Sequence, residues 1–199
     1  MNKIPFYFLF LPLICFLFAA CGDDDDETPE SKTVVIGDDG KASNGMKFAA
    51  IDDKNFYLDY IKYTVEEGHV IVSGYEKDKF KGYAKIVSNI SLKGNSYEVT
   101  GIGFKSFAKC ETLVSVIIPN SVKDIGVYAF DGCTGLKEVH CGWSNPPDLY
   151  LYMNLDNLIY YYRFNDSSYS SVTLYIPKGA IESYKTTLPW SLFEKIVEE

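Results

Sequence analysis

The chain has 199 residues, 47% hydrophobic, 16% aromatic and 23% charged, which is enough apolar material for one packed domain with attachments. Sixteen Tyr and 13 Phe against 3 Met favour strands over helices and exclude wholesale disorder. The net charge is −8 with a single arginine, Arg163, so the electrostatic footprint of a nucleic-acid binder is missing and no nucleic-acid partner is expected.

Residues 1–20 read MNKIPFYFLFLPLICFLFAA, one lysine and then an apolar run that fits a secretory h-region better than a spanning helix. The run ends in Phe18-Ala19-Ala20-Cys21. That small-small-Cys pattern resembles a bacterial lipobox, with Phe18 where leucine is usual, and implies cleavage before Cys21 and acylation of its thiol. An ordinary signal peptide with an incidental cysteine is the plainer alternative. Asp23, Asp24, Asp25, Asp26, Glu27 and Glu30 follow, unopposed until Lys32. Such a run repels itself, stays extended and spaces a domain from its anchor. It lacks the glycine turn and spaced ligands of a Ca²⁺ loop. An acidic stretch directly after the lipid cysteine is also similar to the signal that sends Bacteroidota lipoproteins to the outer face of the outer membrane. Residues 21–45 as a whole read as linker, with a short strand at 34–36.

Residues 46–100 read as a cap of β-hairpins. Tyr60, Lys62 and Thr64 alternate with Ile61, Tyr63 and Val65 up to the break at Glu66-Glu67-Gly68, and Val70, Val72 and Gly74 alternate with Ile71 and Ser73 beyond it. A second hairpin joins 90–92 to 97–99, with Gly94-Asn95 expected at the positive-φ positions of a tight turn.

Residues 101–199 hold an internal repeat. Ile102-Gly103 recurs as Ile125-Gly126, Phe107 as Phe130, Cys110 as Cys133, Leu113 as Leu136 and Val116 as Val139, always 23 residues apart. A unit this small cannot bury its own apolar side, so neighbours must stack into a solenoid. From Val139 to Leu174 the spacing is 35, so the third unit carries 12 extra residues. The units IGFKSFAKCETLVSVIIPNSVKD and IGVYAFDGCTGLKEVHCGWSNPP resemble BspA-type leucine-rich repeats, a family of bacterial surface proteins. The segment around Leu174-Tyr175-Ile176-Pro177, with Tyr184, Trp190 and Phe193, is similar to the family's C-terminal closure. The resemblance implies a mainly β fold with short helices, a small leucine-rich-repeat solenoid preceded by β-hairpins. It also implies a surface protein that adheres to host matrix proteins, other cells or glycans.

On this phase, 84–87, 115–118, 138–141 and 173–176 become successive parallel rungs. Alternation points Val116, Ile118, Val139, Cys141, Leu174 and Ile176 inward. It points Lys85, Ser115, Ile117, Glu138, His140, Thr173 and Tyr175 outward. Solenoids bind through that face, so the candidate contact residues are Lys85, Ile117, Glu138, His140 and Tyr175. Cys110 and Cys133 fall on one position of adjacent rungs, within disulfide range, but their place beside Leu113 and Leu136 favours buried thiols.

No catalytic constellation emerges. His140 adjoins Cys141, but neighbouring strand residues face opposite sides of a sheet, and His69 lies at a hairpin turn. No G-x-S-x-G occurs, Gly101-Ile102-Gly103 lacks the third glycine of a phosphate loop, and no C-x-x-C occurs to bind zinc. Asp52-Asp53 and Glu66-Glu67 read as solvated turn carboxylates. No cofactor and no metal are expected. Tyr150, Tyr152, Tyr160, Tyr161, Tyr162 and Tyr169 crowd the expanded unit, where they serve either as a cap on the stack or as a contact surface. The expected function is non-enzymatic: a surface lipoprotein anchored in the outer membrane, with a protein or glycan ligand. The alternatives are an accessory subunit that binds a neighbouring envelope protein or glycan-utilisation complex, and a degenerate glycan-binding or hydrolytic enzyme accessory.

Overall fold

Period-two alternation builds the N-terminal half. The structure, a computed structural model, describes residues 33–149 and 163–199 and the backbone of 153–154 and 159–160. Strands β1 (Val34–Ile36), β2 (Phe48–Ala50), β3 (Asn55–Leu58), β4 (Ile61–Glu66) and β5 (His69–Tyr75) come first. Strands β6 (Tyr83–Lys85), β7 (Asn89–Leu92) and β8 (Asn95–Ile102) follow. β2 to β5 form an antiparallel meander. In it Ile61, Tyr63, Val70 and Val72 are buried, while Lys62 and Thr64 on the other face are only half-covered. β1 pairs in parallel with β7, and Val34, Ile36 and Ala42 are buried. The part of the expected linker from Val34 to Ala42 is therefore folded, because its alternating apolar residues find an open strand edge. The signal segment, Cys21 and the acidic run lie outside the described residues.

The β7–β8 hairpin turns one residue earlier than expected. Lys93 (φ 51°) and Gly94 (φ 77°) take the left-handed positions, and Asn95 already pairs with Leu92. A two-residue loop with both φ positive matches the strand twist, and closure at Leu92 leaves no room for Asn95 in it.

β8 ties cap to solenoid. Its first half runs antiparallel to β7, while Val99, Gly101 and Ile102 lie parallel to β5. β10 (Asp124–Ile125) continues this short parallel ladder, so Val72, Ile102 and Ile125 stand in one column. A second, longer ladder orders β6, β9 (Ser115–Ile118), β11 (Glu138–Cys141), β14 (Thr173–Ile176) and β15 (Lys195–Glu198), all parallel. Its registers are Ala84 to Val116, Val116 to Val139, Val139 to Leu174 and Leu174 to Ile196. The repeat spacings of 23 and 35 thus appear as strand register, and β15 adds a rung that the sequence pattern does not announce. Stacking begins with β5 and β6, so the boundary between cap and solenoid falls before residue 101.

Each rung turns from the short ladder to the long one through a compact loop whose shape repeats. Lys105 (φ 55°) and Tyr128 (φ 60°) are left-handed 23 residues apart, as are Lys109 (φ 59°) and Gly132 (φ 71°). Successive loops are bonded to one another: Phe107 N donates to Ala129 O at 2.8 Å, and Phe130 N to Arg163 O at 2.9 Å. Inside them Tyr75, Phe107, Phe130 and Phe164 form one column, with ring centroids 5.9, 5.5 and 4.9 Å apart and planes within 11°. Gly135 packs so tightly that a Cβ there would meet the carbonyl of Glu111.

The last rung is closed by aromatic residues. β12 (Met153–Asn154) and β13 (Ile159–Tyr160) make a small hairpin, followed by α1 (Asp166–Ser171), α2 (Ile181–Thr186) and a 3₁₀ turn at Trp190–Leu192. Trp143 Nε1 donates to Val122 O, Trp190 Nε1 to Pro147 O and Tyr184 Oη to Trp143 O, all at 2.8–2.9 Å. Tyr169 is buried edge-on to Phe193 at 5.1 Å, as a cap residue would be. The other tyrosines of the insertion lie outside the described residues or have only backbone described.

Leu113 and Leu136 stand in the core, 0% and 5% exposed. Leu113→Ala should lower unfolding free energy by about 2–5 kcal/mol, since a close-packed rung cannot collapse onto the void. Urea denaturation followed by circular dichroism measures this; an unchanged midpoint would sink the register.

Candidate binding face

The long ladder presents its outward side chains in columns because five parallel strands share one register. One column runs Lys85, Ile117, His140, Tyr175, Val197. The neighbouring one runs Tyr83, Ser115, Glu138, Thr173, Lys195. The five candidate residues therefore lie on one surface, four in a single column and Glu138 in the next. Ile117 is 37% exposed and Val197 44%, and Tyr83 reaches 71%. Ser115 differs from its outward reading and is buried, since its short side chain lies between the larger Tyr83 and Glu138. Tyr83 was legible from the same alternation that marks Lys85, two residues on. Val197 was not, because β15 carries no repeat signal.

The centre of the face is a fixed polar-aromatic group. The rings of His140 and Tyr175 stack at 4.4 Å with 7° between planes. His140 Nδ1 donates to Glu199 Oε1 at 2.8 Å, and its Nε2 lies 3.7 Å from Glu138 Oε2. A carboxylate only accepts, which places the proton on Nδ1 in that hydrogen bond. Such a platform combines a flat π-surface with carboxylates at its rim, the composition from which protein contact surfaces draw anchors.

The cysteines lie buried, away from this face. Cys141 is buried on the core side while His140 is outside, and Cys110, Cys133 and Cys141 form no disulfide. Cys133 Sγ donates to Phe107 O at 3.1 Å. Burial, with Cys110 adding to it, pushes the Cys133 thiol from 9.0 up to about 12. Burial and the contact with Cys110 push the Tyr75 phenol up to about 12 as well. His69 starts β5, with Nε2 3.7 Å from Glu66 Oε2. Among the described residues no group of three His, Cys, Asp or Glu side chains gathers as metal ligands would. No described helix is long and apolar enough to cross a membrane.

Columns of like residues on parallel rungs, closed at both ends, define a leucine-rich-repeat solenoid. The family described as BspA type leucine rich repeat region (6 copies) matches residues 76–154 and 100–185, more than half of the chain. The protein belongs to this BspA-type leucine-rich-repeat family. A solved leucine-rich repeat protein from Bacteroides capillosus is 19% identical, with a TM-score of 0.49 over 74% of this chain and 99% of that one. One from Bacteroides ovatus is 32% identical, with a TM-score of 0.40 over 47% of this chain and 24% of the other. A leucine rich cell surface protein from Faecalibacterium prausnitzii is 22% identical, with a TM-score of 0.41 over 68% and 35%. No curated protein matches the chain.

The buried Cys133 thiol and the half-buried Tyr75 phenol set a pH dependence. Both bind protons more tightly folded than unfolded, so their contribution is complete below about pH 9 and is lost as pH rises toward 12. The urea midpoint should fall across that window, and Ellman's reagent at pH 8 should leave Cys133 unmodified until the chain unfolds. A midpoint flat to pH 12, or rapid native labelling, would contradict this burial.

Proposed function

We propose that this chain is a non-enzymatic lipoprotein, anchored in the outer membrane through Cys21 and exposed at the cell surface, whose repeat module binds a protein in adhesion. Leucine-rich repeats generally serve as protein-binding modules, and the chain's family membership supports that part of the proposal. The small-small-Cys end of the apolar run and the acids behind it support the anchor. The observation that carries the binding role is the outward column Lys85–Ile117–His140–Tyr175–Val197, where apolar Ile117 and Val197 stay exposed beside a stacked His–Tyr pair. A soluble protein gains nothing in its own stability from lining up apolar side chains in water, whereas interface anchors are drawn from such residues.

Two measurements test the two halves separately. Cys21→Ala should abolish acyl labelling and leave an uncleaved or soluble form; labelling and membrane partition equal to the parent would remove the anchor. One acyl chain holds a protein only marginally, so more than one is expected. For the binding half, intact cells are offered immobilised matrix proteins and envelope extracts of their own strain. Ile117→Asp combined with Tyr175→Ala should weaken the captured contact by roughly thirtyfold, the loss of about 2 kcal/mol expected for hot-spot anchors. Undiminished capture by a variant with native circular dichroism would move the site off this face.

A further inference from the structure

Phe104 is 65% exposed at the start of the first repeat loop, just after β8. At the matching position of the next unit stands Val127, so the repeat itself does not demand an aromatic ring there. The ring is nonetheless held in place. Lys105, in the left-handed conformation, brings its Nζ 5.0 Å from the centroid of Phe104 and 5.7 Å from that of Tyr128. The two rings meet edge-on at 6.4 Å with 67° between planes. Immobilised before any ligand arrives, Phe104 carries little further ordering cost on binding.

Beside it runs a groove of about 420 Å³ along the short β5–β8–β10 ladder, a different surface from the long ladder's columns. Glu66, His69, Thr100 and Asp124 line it together with apolar Ile71 and Ile102. The volume lies within the roughly 300–1,000 Å³ typical of small-ligand sites. The lining selects among ligand classes. An anion would meet the carboxylates of Glu66 and Asp124. A cation would be drawn to those carboxylates but would compete with the chain's own ammonium for the ring, since Lys105 already lies over Phe104 and Tyr128. A neutral sugar meets no like charge, and Phe104, 65% exposed, keeps ring surface that Lys105 does not cover. The sugar's C–H face packs on an apolar ring, and its hydroxyls donate to carboxylates in the stronger, charge-assisted kind of hydrogen bond.

We propose that this groove is a binding subsite for a neutral glycan. The sugar ring stacks on Phe104, its hydroxyls donate to Glu66 and Asp124, and the His69 and Thr100 side chains complete the polar rim. The site is independent of the protein-binding face and neither needs the other.

The test is an array of neutral microbial and animal oligosaccharides, probed with the full chain in detergent, with heparin and poly-lysine as charged probes. The parent should bind at least one neutral oligosaccharide. Phe104→Ala should weaken that binding at least tenfold and Phe104→Trp should restore it. Asp124→Asn, with its aromatic platform intact, should weaken it several-fold. Phe104 is exposed, so native circular dichroism is expected of its variants; should Phe104→Ala misfold, the Asp124→Asn and Phe104→Trp results decide. The proposal is overturned by an array empty of neutral ligands, by signal on heparin or poly-lysine alone, or by equal affinity in folded variants.

Discussion

Parallel strands in one register put each side chain beside its counterpart one rung away, at roughly 4.8 Å, and the whole molecule follows from that spacing. An aromatic ring repeated at a fixed position has no choice but to meet the next one face to face. Tyr75, Phe107, Phe130 and Phe164 do so, and the same step places Cys110 beside the Cys133 unit and Leu113 beside Leu136. The columns tolerate neither bulk nor drift. A side chain at Gly135 would strike Glu111's carbonyl, and the left-handed residues at 105 and 128 keep both loops in the same shape. Stability is shared between neighbours, as expected where each unit contacts only the next.

A stack that buries its columns must also close its ends. At the start, β8 does this by changing partners midway, antiparallel to β7 and then parallel to β5, so one strand belongs to both cap and solenoid. At the finish, bulk replaces repetition: Trp143, Phe164, Tyr169, Tyr184, Trp190 and Phe193 are buried together, and both indole N–H groups and the Tyr184 hydroxyl find backbone carbonyls. These bonds let Trp143, Tyr184 and Trp190 be buried with their donors paired. Arg163 is buried beside them, its Nε donating to Ile125 O at 3.0 Å, which links the third rung to the second.

What could be read from the sequence is what repeats. The 23-residue phase contains the registers of β9, β11 and β14 outright, and alternation within those rungs sorts inward from outward residues except at Ser115. What could not be read depends on contacts between distant segments. β1 pairs with β7 across more than fifty residues, and its sequence says only that it is alternately apolar. β15 joins β14 after a helix and a 3₁₀ turn that erase the period, so Val197 gave no sign of sharing a face with Tyr175. The turn at Lys93 was misplaced by one residue because glycine fits either central position, and only the pairing of Leu92 with Asn95 chooses. The outward candidates were legible as a face; the pairing of His140 with Glu199 was not, since the two lie 59 residues apart. Phe104 escaped notice because an aromatic residue in an apolar repeat reads as core.

The two exposed surfaces follow from one property of the fold. The inward columns are committed to stacking, and a change there disturbs its neighbours on both sides. The outward columns are placed by the same register but are not needed by it, so their chemistry is free. On the long ladder that freedom gives a five-stranded face, with carboxylates around a stacked His–Tyr pair and apolar side chains to either side. An open sheet face suits a protein surface better than a small molecule, which needs enclosure. On the short ladder the strands pair over only two or three residues, and a groove lies beside them, lined by residues of the hairpin and of the repeat. The number of stacked strands therefore shapes each surface: where five strands stack the solenoid offers a face, and where three meet it offers a cleft.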